Sequence, residues 1–433
     1  MTDLFTNPRR YGDLDTWRRE AVELHARGPI HRIDQPGYQP FWAVIGHDAV
    51  LDIERRPEDF TNGPIPILGS DEQLVLRSRN GAEIRTLIHM DEPDHAKYRK
   101  LTSDWFKPAG IRRLTDRLDE LSGRAVDKLE ALGGEADFYK DIALAYPLQV
   151  ILSILGLPED DYPRMIKLTQ EMFGAEDPDL QRDVISPEQA VEVVMDFYRY
   201  FTQLTADRQT HPTDDLATLI ANGTIDGAPM PDLEKMGYYV IIATAGHDTT
   251  AAAMAGGLRA LAEHPDQLRL LQRDPDLLPN AVDEMIRWTA PVRHFMRTAQ
   301  LDTEVAGVEI AKGDWLYLSY LAGNLDPAVF DDPLRFDVTR PNADRHIAFG
   351  YGIHFCLGAQ LARVELRSLF GHLVPRLQSL ELSSEPQTRE DHLRGRPQNR
   401  PDPLHPHCRA CSRPLAADTP TEHSSSRGTT SST

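Results

Sequence analysis

FGYGIHFCLGAQLAR, residues 349–363, is the stretch whose reading decides the fold. A lone cysteine, Cys356, follows a glycine-rich turn and precedes the helical pattern AQLARVELRSLFGHLV. Amides at the start of a helix stabilise an anionic sulfur. Gly350, Gly352 and Gly358 let the backbone bend sharply and pass close beneath a flat ligand. Phe349 and Phe355 are placed to keep water from the sulfur. Taken alone, a buried cysteine reads more readily as inert core than as a ligand.

The whole string changes that reading. It fits F-G-x-G-x-H-x-C-x-G-x-x-L-A-R at every fixed position and so resembles the haem-binding signature of the cytochrome P450 family. The resemblance implies that Cys356 is the axial thiolate of haem b (iron protoporphyrin IX), with Phe349, Gly350 and Gly358 around the cofactor and His354 touching a propionate. It also implies the fold class: mainly α with small β-sheets, a triangular, helix-rich single domain with a long central helix over the haem.

That helix is readable at 232–263, DLEKMGYYVIIATAGHDTTAAAMAGGLRALAE. It reads as one long helix whose centre is mostly apolar, so it should run through the core. Ala245-Gly246-His247-Asp248-Thr249-Thr250 interrupts the pattern. A buried Asp beside hydroxyls is costly unless something uses it. Gly246 weakens a helix by roughly 1 kcal/mol relative to Ala but leaves room for a ligand. A plain kink, with threonine hydroxyls bonded back to carbonyls, is the alternative. The string is similar to the family's [AG]-G-x-[DE]-T-[TS] motif. By that resemblance Thr249 hydrogen-bonds the O2 being activated, and Asp248 relays protons from solvent.

Glu284 and Arg287, in VDEMIRW, share one helix face. In the family such a pair locks to an arginine in the loop before the haem, which implies a structural cluster of Glu284, Arg287 and Arg340. His95 and Arg99 in DEPDHAKYRK, and Arg297 in PVRHFMRTA, would be solvated charges if seen in isolation. The resemblance makes them propionate partners, for which buried cations are suited. Ala243, Gly246, Val292 and Phe295 then line the substrate pocket with residues of the 60–90 loop.

Other periodic stretches, LDTWRREAVELHARG, HAKYRKLTSDWFK, GIRRLTDRLDELSGRAVDKLEALGG and ISPEQAVEVVMDFYRYFTQLTADRQ, read as amphipathic helices. Two strand pairs are expected, PIHRID with FWAVIG and TEVAGVEI with DWLYLSY. Residues 326–350 read as a long functional loop. A formal net charge of -20 argues against nucleic acid. No early apolar region and no apolar run of spanning length is present, so neither a membrane span nor a signal segment is expected, and the location reads as cytoplasmic. Three cysteines are too few for a disulfide framework.

The implied function is a monooxygenase that inserts one oxygen atom of O2 into a small or medium apolar substrate. Electrons would come from a ferredoxin or flavodoxin-type donor with its NAD(P)H reductase, docking on Lys97, Lys100, Lys107, Arg112, Arg113, Arg363 and Arg367. LQVILSILGLPEDDYPRMIKLTQEMFG (148–174) and PVRHFMRTAQ (291–300) resemble the branch that hydroxylates monoterpene alcohols such as terpineol; related enzymes take aromatic hydrocarbons and steroids.

The resemblance stops near residue 382, giving a P450 domain over 1–382 and an atypical tail over 383–433. The tail composition cannot pack a core. Family members end in a pocket-lining hairpin. EPQTREDHLRGRPQNRPDPLHPHC, back-translated with GC-leaning codons, allows TTFVGGPKTVPIRY in a neighbouring frame, which points to a frameshift near Gln387. A haem-thiolate protein without turnover is the alternative that follows. His405, His407, Cys408 and Cys411 have metal-ligand spacing but no second half-site.

Overall fold

The computed structural model describes residues 3–79, 85–133, 135–173, 187–383 and 408–410. Around the site lie helices α1 (Asp94–Thr102), α2 (Ala145–Ile154), α3 (Asp232–Ala245), α4 (Asp248–Glu263), α5 (Leu278–Thr289) and α6 (Ala359–Leu373). The central helix thus crosses the core in two pieces rather than one. The opening at Gly246–His247 has a local cause. Thr249 Oγ1 donates to Ala245 O at 2.7 Å and Thr250 Oγ1 to Gly246 O at 3.0 Å, while His247 Nδ1 lies 3.2 Å from Ala243 O. Such back-bonding side chains compete for the helical carbonyls and bend the ladder. This is the kink geometry that the residue types alone allowed.

Gly246 also has a packing reason. A Cβ there would sit 2.6 Å from Ile151 Cδ1, so α2 can approach the kink only over a glycine. The buried faces of α2, α3 and α4, with Leu148, Ile151, Tyr239, Ala251 and Met254 among them, join one large apolar core. α5 and α6 close that core from the side of the cysteine loop, through Met285, Ile286, Leu366 and Phe370.

One five-stranded sheet stands beside the helices, made of β1 (Ile30–Ile33), β2 (Phe41–Val44), β3 (Phe60–Thr61), β4 (His294–Ala299) and β5 (Trp315–Ser319), in the order β1-β2-β5-β4-β3. The expected pair of β1 with β2 forms, and its strands are antiparallel. The second expected pair is different. TEVAGVEI folds back on itself, Thr303–Val305 against Val308–Ile310, and DWLYLSY pairs instead with β2 and β4. A positive φ at Ala306 and Gly307 makes that tight reversal within the stretch. The helix expected over 110–134 divides into Pro108–Arg112 and Thr115–Ala131, whereas Leu14–His25 and Pro187–Thr210 form at their periodic stretches. Within 326–350 only the turn Ala343–Arg345 is regular.

Of the tail, Cys408–Ala410 pairs with Leu380–Leu382 on one side and Glu135–Ala136 on the other. His405, His407 and Cys411 lie outside the described residues. No cluster of metal-ligating side chains occurs among the described residues, and no described helix is long and apolar enough to cross a membrane.

Candidate active site

The cysteine loop is a tight reversal. Cys356 N donates to Phe349 O at 2.9 Å, and Gly350 and Gly352 both take φ of 65° between them. A side chain on Gly352 would strike the Glu54 carbonyl at 2.1 Å, so this position tolerates nothing larger. Gly358 is different: its φ is ordinary and a Cβ would meet no protein atom within 4 Å. It faces the cavity instead. Burial pushes the Cys356 thiol up, and the amides of Gly358 and Ala359 with the Arg99 and Arg363 guanidiniums favour its anion. Of the two aromatic shields, Phe349 lines the cavity, but Phe355 is 40% exposed and does not.

Cys356 lies in the wall of a cavity of about 230 Å³ between the cysteine loop and the kinked helix. Its lining is mostly apolar and includes Ile151, Ala245, Gly246, Thr249, Val292 and Phe295. Ala243 is fully buried against neighbouring helices and does not reach the cavity; Ile242 and Ala245 occupy the wall in its place. At 3.6 residues per turn, position 243 points roughly a third of a turn away from the face shared by 242, 245 and 246. Leu87 and Ile88 represent the 60–90 loop. Thr249 lines the cavity with its hydroxyl turned back to the helix. Asp248 does not line it; its carboxylate is buried 3.1 Å from His247 Nε2.

Polar groups gather at one end. The rings of His95 and His354 meet at a 48° tilt with centroids 4.2 Å apart, and both line the cavity with Arg99. Burial pushes both imidazoles down, His95 to about 4 and His354 to about 2. His95 Nδ1 and His354 Nε2 are buried with no hydrogen-bond partner. Arg99 is held by Phe355 O at 2.6 Å. Arg297 stands one contact further back, paired at 2.8 Å with Glu54, whose same oxygen accepts from Tyr320 Oη. Unpartnered buried donors and acceptors call for a polar group that the chain itself does not supply. A thiolate-capable sulfur on one wall, apolar faces above and cations at one end suit a flat, metal-bearing macrocycle with carboxylate arms.

Behind the loop, Glu284, Arg287 and Arg340 form one buried cluster. Arg287 grips Glu284 through two nitrogens at 2.6 and 2.8 Å, and Arg340 Nε lies 3.1 and 3.2 Å from the two carboxylate oxygens. The remaining guanidinium protons go to the carbonyls of Asn324, Pro333, Asp331, Asp332 and Arg335. This fastens the irregular 326–350 segment to α5 and touches no cavity residue's chemistry.

Three neighbours escaped the sequence reading. Ile151 sits on a helix that is buried and apolar on most sides, where no apolar position stands out. Glu54, in IERRPEDF, looks like a solvated charge run. Glu365 was detectable: it falls on the apolar face of α6 with Leu361 and Leu369, lines the cavity, and burial pushes its carboxyl well above the usual range.

Comparison with known proteins agrees with this geometry. The Cytochrome P450 family model matches residues 28–400. Cytochrome P450-terp from a Pseudomonas species is 41% identical over 408 residues, covering 91% of this chain and 95% of that protein. Linalool 8-monooxygenase of Pseudomonas putida is 32% identical, covering 88% and 92%. The crystal structure of CYP108D1 from Novosphingobium aromaticivorans superposes with a TM-score of 0.85 at 40% identity, covering 95% of this chain and 98% of that one. The chain belongs to the cytochrome P450 family of haem-thiolate monooxygenases, with protoporphyrin IX haem as its cofactor.

Proposed function

We propose that this P450 hydroxylates a small apolar terpenoid, a monoterpene alcohol above all, with electrons from a ferredoxin and its NAD(P)H reductase. The observation that carries the reading is the apolar cavity that joins Cys356 to the kink at Gly246–Thr249. Bound haem supplies the one-electron and O2 chemistry. The chain's residues do the rest. Cys356 holds the metal, His95, Arg99, His354 and Arg297 hold the carboxylate arms, and Phe349, Gly350 and Gly358 frame the ring. Thr249 turns its hydroxyl from Ala245 O toward reacting oxygen, and buried Asp248, beside His247, passes protons to it. Val292, Phe295, Ile242 and Leu87 exclude water and orient the substrate. The relatives named P450-terp and linalool 8-monooxygenase support the terpenoid class. The stoichiometry balances: substrate C–H, O2, two electrons and two protons give the alcohol and one water.

The test is turnover with surrogate ferredoxin, its reductase and NADPH on a panel of monoterpene alcohols, aromatic hydrocarbons and steroids. Hydroxylated terpenoids should dominate, and Thr249→Ala should lose product per O2 consumed while hydrogen peroxide rises. Preference for steroids would overturn the substrate class, and unchanged coupling in Thr249→Ala would overturn the threonine's role.

A further inference from the structure

Glu54 ends the helix His47–Glu54 and is 4% exposed. Its Oε1 accepts from Arg297 Nη2 and from Tyr320 Oη, both at 2.8 Å. Its Oε2 is buried with no hydrogen-bond partner. The carboxyl stands directly behind the cavity wall: Tyr320 and Gly350 line the cavity, and a Cβ on Gly350 would lie 3.4 Å from Oε1 and 3.7 Å from Oε2.

A buried carboxylate oxygen left unpaired is expensive, and more so in a low-dielectric corner. A haem carboxylate drawn to Arg297 would meet Glu54 across the same guanidinium. Two carboxylates that share one cation out of water cannot both ionise cheaply, and such a pair titrates as a unit. We propose that Glu54 is the partner acid of a haem carboxylate, a protonated carboxyl that hydrogen-bonds to it beside Arg297. The pair then carries one negative charge instead of two. This rests on the reading of Arg297 as a carboxylate-binding residue.

The groups packed around Glu54 leave that pair as the one to titrate. Arg297 faces it from β4, Tyr320 from the end of β5, and the Tyr351 amide from the cysteine loop. Arg55 lies over the Tyr351 ring at 5.0 Å. Burial raises Tyr320 well above its usual range. Desolvation raises the Glu54 carboxyl itself, against the pull of Arg297 and Tyr320.

The experiment is the haem reduction potential of the holoenzyme as a function of pH, with the infrared carbonyl stretch of a protonated carboxyl as a second readout. In the wild type the potential should fall as pH rises through deprotonation of the pair, because added negative charge disfavours reduction. Glu54→Gln should abolish that step and the carboxyl band. Tyr320→Phe, which loses a hydrogen bond favouring ionised Glu54, should move the step to higher pH. An unchanged step in Glu54→Gln overturns the proposal; if that variant fails to hold haem, an unmoved step in Tyr320→Phe does so. Arg297→Gln should speed haem transfer to apomyoglobin. If haem loss is unchanged there, the placing of the carboxylate at Arg297 fails; if it quickens while Glu54→Gln keeps the step, only Glu54's role fails.

Discussion

Burial lowers the pKa of His25 at an inner surface of this protein, and that gives the molecule a pH signature. His25, with Nε2 at 3.0 Å from Ala322 O, has its pKa lowered below the ordinary 6.5, as do His95 and His354. At His25 the folded chain therefore binds fewer protons than the unfolded one. The stability from His25 is complete above about 6.5 and is lost as pH falls from there toward its folded value. His25→Gln should flatten, without abolishing, the loss of urea resistance between neutral and mildly acid pH; an identical slope would show that His25 is not buried neutral. At this scale the sequence was informative where chemistry is local. Cys356, Gly350 and His354 come together on the cavity wall because one short loop carries all three. Ala243 was misplaced because its orientation depends on where the helix turns. Glu54 was invisible because only the fold brings it to Arg297, 243 positions away.

Helix α4 owes its start to three side chains that bond backward and to a glycine that admits α2. Periodicity found the helix and its apolar surroundings but not the break, since hydrophobic pattern carries no information about carbonyl competition. The strand pairs show the same division: β1 with β2 was legible as a local hairpin, whereas β5 pairs with β2 and β4 from distant sequence. Gly246→Ala should lower the melting temperature by the equivalent of about 1–3 kcal/mol, the usual penalty of overpacking. Ile151→Val deletes the atom that a new Cβ would strike and should restore part of the loss in the double variant. Simple additivity of the two changes would remove Ile151 as the cause.

Over the whole molecule, the basic cluster read as a docking face is partly neutralised. Lys97 meets Asp226, Lys107 meets Asp104, Arg113 meets Asp214, and Arg363 is committed to Asp283 at 2.6 Å. Lys100 and Arg112 remain exposed near the cysteine side. Reversing both to Glu should slow reduction by an acidic ferredoxin several-fold at low salt and much less at high salt, because exposed charges steer encounter and are screened. Equal rates at all salt concentrations would place the docking surface elsewhere. The central claim, a haem held by the thiolate of Cys356, is tested most directly by the ferrous–CO difference spectrum of the full chain beside that of Cys356→Ser. A red-shifted, thiolate-type Soret band in the wild type that disappears in the variant is the predicted result. No haem at all in the wild type, the band of a neutral ligand there, or a thiolate band that survives in Cys356→Ser would contradict it.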